Sequence, residues 1–326
     1  MRQAIWRGAD MSRCRVSLAV GEYDRTIALI SGHVSAVGVD LNILPMSDAW
    51  DRHQRMIRNE EFDVAELSLS SYLMARERGQ DLVAIPVFPY RMFRHQFILV
   101  RKGRGIVTPE DLRGKRVGTP MYQTTTMLWV RGMLEHEYGV HPDEIEWVTE
   151  REELVPLTSG PVTITVAPEP VEELFGQGSL DAIVVIEEVE KRWLDDPEVD
   201  RLFPNFVTVE AEYFKRTGIY PIMHLVAMRA KLVEENPWLP RSLYEAFCQS
   251  LAYAVEMERY PRVVSLAWAN SYFESERAIF GGNPYAYGIA NSRRTLEAAV
   301  RYSNEQGLTG RQFGVEEIFV SSLLES

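Results

Sequence analysis

Residues 62–100 read FDVAELSLSSYLMARERGQDLVAIPVFPYRMFRHQFILV. The apolar run Phe62–Leu67 predicts a short strand. Ser70–Arg78 predicts a helix that Gly79 ends, and Leu82–Phe88 and Phe97–Val100 predict two more strands. The same alternation extends upstream, with strands at Arg15–Val20 and Val39–Leu44. Each is followed by a helical stretch, Tyr23–Ser31 and then one carrying Trp50, Met56 and Ile57. Strands alternating with helices imply an α/β chain, with helices on the faces of a sheet rich in parallel pairs.

A second alternating unit begins at TPEDL (108–112), where Thr108 is an N-cap and Pro109 the first helical position. Lys115–Gly118, Ile145–Val148, Thr163–Val166 and Asp181–Ile186 predict strands. Thr124–Tyr138 and Val171–Phe175 predict helices, and the chain from Pro237 onward is mostly helical. The expected organisation is two lobes: residues 12–103 with 218–326, and residues 104–217. The stretches 94–101 and 219–228 are the two crossings. Two α/β lobes joined in this way enclose a cleft at the carboxyl ends of their strands, where small ligands bind.

The 326 residues carry 35 basic and 47 acidic side chains, a net charge of −12, with 46% apolar and 25% charged residues. That composition supports a large core and argues against nucleic-acid binding. No run of 18 apolar residues suggests a membrane span. The start, MRQAIWRGADMSRCRVSLAV, does not read as a secretory signal, and two cysteines are too few for a disulfide framework. The expectation is a cytoplasmic location. Charge is uneven: residues 151–200 hold 13 acidic and 3 basic side chains, residues 91–131 hold 9 basic and 2 acidic. The basic stretch is either a solvated face or an attractor for an anionic ligand.

The candidate site residues lie in loops that follow strands. Asp24 and Arg25 follow the first strand, and Ser68, Ser70 and Ser71 follow the third. Tyr122 and Thr124 lie where a strand runs into a helix; hydroxyls and backbone N–H groups at a helix N-terminus suit an anion, and equally suit capping. Arg91 and Arg94 could clamp a carboxylate or form surface ion pairs. His95 and His224 lie on the crossings and could transfer protons. Tyr285, in the turn-rich GGNPYAYG (281–288), could stack on a flat ligand. The histidines at 33, 53, 95, 136, 141 and 224 show no HxH or HExxH spacing. No cofactor is predicted, and a divalent metal held by distant residues such as Glu66, His95 and His224 is left open. GxGxxG, P-loop, GxSxG and CxxC motifs are absent from the sequence.

Several blocks together carry a resemblance. GEYDRT (21–26), FDVAELSLSSYLMAR (62–76), IPVFPYRMFRH (85–95), DLRGKRVG (111–118), YQTT (122–125), GIYPIMH (218–224) and NPYAYG (283–288) resemble the 4,5-dihydroxyphthalate decarboxylase family across nearly the whole chain. The resemblance implies a two-lobe type II periplasmic-binding-protein-like fold. It implies a non-oxidative decarboxylase of a hydroxylated aromatic acid, the alternative being a solute-binding protein for a small organic anion. For that chemistry His95 or His224 is expected to transfer the proton, and Arg91 and Arg94 to hold carboxylates. Tyr122, Thr124, Ser70 and Ser71 would orient the ligand. The segment DAIVVIEE (181–188) departs from the family pattern, which commonly supplies an arginine there. Glu187 or Glu188 facing the cleft would repel a dianion, favour a ligand with one carboxylate, or help hold a metal. The expected partner is a small aromatic acid, with no nucleic acid and no membrane; an exposed apolar helix in the C-terminal segment could support a homo-oligomer.

Overall fold

The computed structural model describes residues 13–157, 162–186 and 189–326. The chain first lays down β1 (Cys14–Val20), α1 (Asp24–Ile30), β2 (Val39–Pro45), α2 (Ala49–Asn59), β3 (Val64–Ser68), α3 (Leu69–Glu77) and β4 (Leu82–Arg91). A 3-10 turn at His95–Phe97 leads to β5 (Ile98–Arg101), β6 (Arg116–Gly118), α4 (Thr125–Tyr138), β7 (Glu146–Thr149) and β8 (Ile164–Val166). Next come α5 (Val171–Gly176), β9 (Ala182–Val184), α6 (Lys191–Leu194), β10 (Val199–Arg201), α7 (Phe206–Thr217) and β11 (Ile222–Arg229). The rest is helical: α8 (Ala230–Glu235), α9 (Leu239–Glu258), α10 (Ala269–Phe280) and α11 (Ile289–Glu305).

These strands form two sheets, ordered β2-β1-β3-β11-β4 and β10-β5-β9-β6-β7-β8. β1 pairs in parallel with β2 and β3, as βαβ units require. The second sheet is likewise parallel across β9-β6-β7-β8. The strands around the crossings break the pattern. β11 returns antiparallel between β3 and β4, and β5 runs antiparallel to both β9 and β10. β5, read from sequence as part of a crossing, pairs wholly within the second sheet, so the change of sheet precedes residue 98 rather than 103. Its pairing is set by apolar alternation: Ile98 and Val100 face the main core, and Leu99 faces a second core with Phe175 and Trp193.

Several local signals act as their chemistry requires. Thr124 caps α4 by accepting the Met127 N–H at 3.3 Å, and Gly139 ends that helix with φ of 66°, a conformation that Cβ disfavours. The segment TPEDL makes one 3-10 turn with a capping box between Thr108 and Asp111 instead of starting a longer helix. α3 is buried along Leu69–Ala75, because β3 and α4 enclose it. Each fully buried Leu, Met or Tyr there adds roughly 1.5–3 kcal/mol of transfer free energy.

β4 and β11 hold the irregularity that matters most for the site. Their register shifts on both sides of the pair His224–Tyr90, and Val226 next pairs with Ile85. The β4 residues skipped by that shift include Pro86 and Pro89, which cannot donate to a ladder. Their carbonyls bond elsewhere: Pro86 O accepts the Gly288 N–H at 2.9 Å, and Pro89 O accepts from Arg25 Nε. A bulge of this kind re-aims the side chains beside it, here Tyr90 and His224.

Candidate functional site

Glu66 lies on the face of β3 that also carries Val64 and Ser68. It is completely buried, and each carboxylate oxygen is occupied. Oε2 accepts the Gly21 N–H at 2.8 Å. Oε1 accepts the Tyr23 hydroxyl at 2.8 Å, lies 3.1 Å from Arg52 Nη2, and lies 2.6 Å from His224 Nδ1. β11 brings His224 opposite Ser68, one pleat repeat from Glu66 on the same face. Burial alone would raise the Glu66 pKa. Arg52, His224 and the Gly21 N–H outweigh it and hold the carboxyl well below its ordinary range.

His224 is also buried, and burial is the main reason that its pKa falls below the ordinary histidine value, although Glu66 pulls the other way. A neutral imidazole that donates Nδ1–H to Glu66 keeps its Nε2 lone pair free. His53, from α2, meets the His224 ring edge-on with centroids 4.8 Å apart, and Tyr90 meets it at 5.0 Å. Burial, then His224 and Arg52, push the His53 pKa well down.

Arg94 adjoins the same group. Its guanidinium lies 3.4 Å from the Tyr90 hydroxyl and donates to the Ile186 carbonyl at 2.7 Å. It is 2% exposed, its Nε has no hydrogen-bond partner, and it meets no carboxylate among the described residues. Burial lowers its pKa, but an arginine so perturbed stays cationic at neutral pH. Arg91 is used differently. Its Nη2 donates to Ser292 Oγ at 2.6 Å, and it reaches the Tyr220 and Ala286 carbonyls at 3.4 Å, so it ties β4 to α11.

The N-termini of α3 and α4 meet each other. Ser68 Oγ is 2.8 Å from Thr125 Oγ1, which also accepts the Ser70 N–H at 3.0 Å; Gln123 Nε2 donates to Ser71 Oγ at 2.9 Å. Thr124 is occupied as a cap. Tyr122 is buried between the Arg131 guanidinium, 3.6 Å from its ring, and Trp147. Glu153 accepts the Tyr122 and Gln123 N–H groups at 2.8 and 2.9 Å, so this carboxylate of the chain fills the loop before α4.

The remaining expected residues lie elsewhere. Asp24, Arg25 and Tyr285 line a cavity of about 770 Å³ with Glu258, Glu276 and Arg277, at the ends of α9 and α10. Arg25 sits between the Tyr23 ring at 4.3 Å and the Tyr285 ring at 4.4 Å. Since Tyr23 bonds Glu66, it separates this cavity from His224. The cavity walls contain neither histidine of the crossings, so its size does not locate the proton chemistry. His95 packs against Phe203 and Tyr213, with Nδ1 3.7 Å from Glu210 Oε1. It does not join Glu66 and His224. Glu187 and Glu188 lie outside the described residues.

A metal on Glu66, His95 and His224 is therefore not assembled: Glu66 is surrounded by N–H and O–H donors, and His95 is elsewhere. Among the described residues, Glu135, His136 and Glu305 bring three metal-donor side chains together, on the surface of α4 and α11. Sequence reasoning missed Arg52, His53 and Tyr23, and named Glu66 only as a ligand. The available signal was a carboxylate inside an otherwise apolar strand, which requires a buried partner.

A family model described as NMT1/THI5 like matches residues 26–257. The 4,5-dihydroxyphthalate decarboxylase of Comamonas testosteroni is 34% identical over 328 residues, covering 97% of this chain and 99% of that protein. The chain belongs to the 4,5-dihydroxyphthalate decarboxylase family. A second member, from Pseudomonas putida, is 40% identical over 185 residues, 53% of this chain and 71% of that protein. Among solved structures, the periplasmic aliphatic sulphonate binding protein SsuA from Escherichia coli aligns with a TM-score of 0.58 at 13% identity, covering 96% of this chain and 99% of that one. The alkanesulfonate-binding protein SsuA from Xanthomonas axonopodis pv. citri aligns at 0.50 and 12% identity, covering 94% and 98%. These likenesses establish the two-lobe fold of periplasmic binding proteins. In this chain Glu66, His224 and Arg94 lie in the segments FDVAELSLSSYLMAR, GIYPIMH and IPVFPYRMFRH.

Proposed function

We propose that this chain is a non-oxidative decarboxylase of a hydroxylated aromatic carboxylic acid, 4,5-dihydroxyphthalate-like, bound in the cleft between its two lobes. Family membership supports the reaction class. The observation that carries the site is the buried His224 imidazole, held through Nδ1 by Glu66, beside the buried Arg94. Arg94 holds the substrate carboxylate, and His224 Nε2 takes the proton of the hydroxyl para to the leaving carboxylate. Electron density from that oxygen lets the carboxylated ring carbon take a proton from solvent water, which supplies the one net proton of the reaction. The bond to the carboxylate then breaks, its electron pair restores the aromatic ring, and carbon dioxide leaves. The imidazolium formed meanwhile is stabilised by the Glu66 carboxylate, and it returns its proton to the phenolate oxygen. His95 faces Glu210 within an aromatic joint, so the proton transfer is assigned to His224.

The solved neighbours named for sulphonate binding support a second reading, a receptor that holds an organic anion without turnover. Carbon dioxide release from a panel of hydroxylated benzoates and phthalates separates the two, with chelator and with added divalent metal as further arms. Release from a para-hydroxylated acid, lost in His224→Gln, is the expected result. Tight calorimetric binding of a panel member with no release would replace the enzyme by a receptor.

A further inference from the structure

Arg52 is fully buried on α2, bonds the Glu66 backbone and forms an ion pair with its carboxylate. Its Nε donates to the Glu66 backbone carbonyl at 3.1 Å, and its Nη2 lies 3.1 Å from Oε1. A third donor, Nη1, bonds the Met46 carbonyl at the end of β2. The guanidinium, tied to two backbone carbonyls, therefore sets a full positive charge against the carboxylate. We propose that Arg52 is a positioning residue that holds Glu66 against His224 and keeps His224 the neutral, proton-accepting member of the group. The proposal deepens the decarboxylase reading and relies on it only for its kinetic test.

Charge balance in a dry site sets the protonation of His224. Glu66 Oε1 is shared by Arg52, Tyr23 and His224. With Arg52 present, one full positive charge already matches the carboxylate, and a proton added to His224 leaves the trio with a net positive charge. Without Arg52, His224 is the remaining cation in direct contact with a buried anion, and it holds the proton itself. A protonated imidazole has no lone pair to offer a phenol. The other groups facing His224 do not restore the balance. Ser68 from β3 and Tyr90 from β4 are neutral, and His53 from α2 is buried in its neutral form. Arg94, after β4, opposes protonation as Arg52 does. Lysine in place of Arg52 keeps the charge but cannot span the carboxylate and both carbonyls from one rigid fork.

Imidazole nitrogen–proton NMR on the full chain tests this, with the His224 signals identified by their loss in His224→Gln. In the wild type, His224 should stay neutral, with the proton on Nδ1, down to pH 6.5. In Arg52→Gln its pKa should rise by about one unit or more, a tenfold or greater change in protonation at fixed pH, and by less in Arg52→Lys. The acid limb of kcat/KM should move up by the same amount, with activity recovering towards wild type at high pH. A folded Arg52→Gln or Arg52→Lys whose His224 titrates as in the wild type would overturn the proposal. So would a wild-type His224 already protonated at pH 7, a result that needs no variant to fold. If no panel acid is turned over, the decarboxylase reading fails, while the NMR titration still decides the role of Arg52.

Discussion

His224 Nδ1 lies 2.6 Å from Oε1 of Glu66, and the two residues are 158 positions apart in the chain. Neighbouring antiparallel strands bring them together, on one face, beneath α2. The contact favours the proton on Nδ1, because an ionised carboxylate only accepts, and leaves Nε2 as the nitrogen with a lone pair.

Replacing His224 by glutamine should lower kcat for carbon dioxide release by roughly 10²–10⁴-fold, the usual contribution of a general base, with a smaller effect on KM. The base must be unprotonated, and its pKa is depressed. Activity should therefore persist below about pH 6.5, the ordinary histidine value, and fall only at lower pH. A wild-type profile whose acid limb lies above pH 7 would contradict this assignment.

Arg94→Gln should act mainly on binding. A hydrogen bond to a charged group contributes about 1.5–3 kcal/mol, so KM should rise by roughly 10–100-fold. Arg91→Gln should instead lower the melting temperature, because Arg91 ties β4 to Ser292 and to two carbonyls. Steady-state kinetics and melting curves on the two variants separate these roles.

Stability should decline on acidification earlier than carboxylate titration alone predicts. The folded-state pKa of His53 lies well below its unfolded value, so the unfolded chain binds more protons there. The stability is complete above about pH 6.5 and is lost as pH falls towards the folded-state pKa, at about 1.4 kcal/mol per unit. His224 adds in the same direction, and Glu66, whose pKa is also depressed, adds a further loss below about pH 4.3. Urea midpoints at pH 7.5 and 5.5 measure the first effect; equal values would exclude it.

Gly132 lies inside α4, where a Cβ would come within 2.2 Å of the Tyr302 ring on α11. Gly132→Ala should destabilise the chain by roughly 1–3 kcal/mol, although alanine favours helix. Thermal melts should show the loss, and Tyr302→Ala combined with it should cost less than the two changes summed.

Thr125→Val would leave the buried Ser68 hydroxyl and the Ser70 N–H without their partner, at a cost of about 1–3 kcal/mol each. Amide exchange at the start of α3 should quicken in this variant, while exchange at its C-terminal end changes less.

Much of the first sheet was legible from one strand to the next. Gly79 and Gly139 end their helices, and Thr124 marks the start of α4. α7 and the short β10 passed unread, β10 because its three residues carry little alternation and pair across the sheet edge with β5. The prolines at 86 and 89 signalled an interrupted β4, but which side chains the bulge re-aims depends on β11. Among the arginines, sequence alone ranked Arg91 and Arg94 alike. The fold ties Arg91 to Ser292 and Arg94 to the Ile186 carbonyl, and places only Arg94 beside the Tyr90 hydroxyl next to His224.

The sequence by itself determined most of the alternation of strands and helices, the caps at Thr124 and Gly139 and the family blocks, because periodicity, capping and short motifs act within a few residues. Only the tertiary structure decided which arginine faces Glu66, which histidine bonds it, and which arginine lies beside that histidine. Those outcomes depend on charges and hydrogen-bond donors brought together from distant segments into a buried site, where an unmatched charge is too costly to leave unpaired.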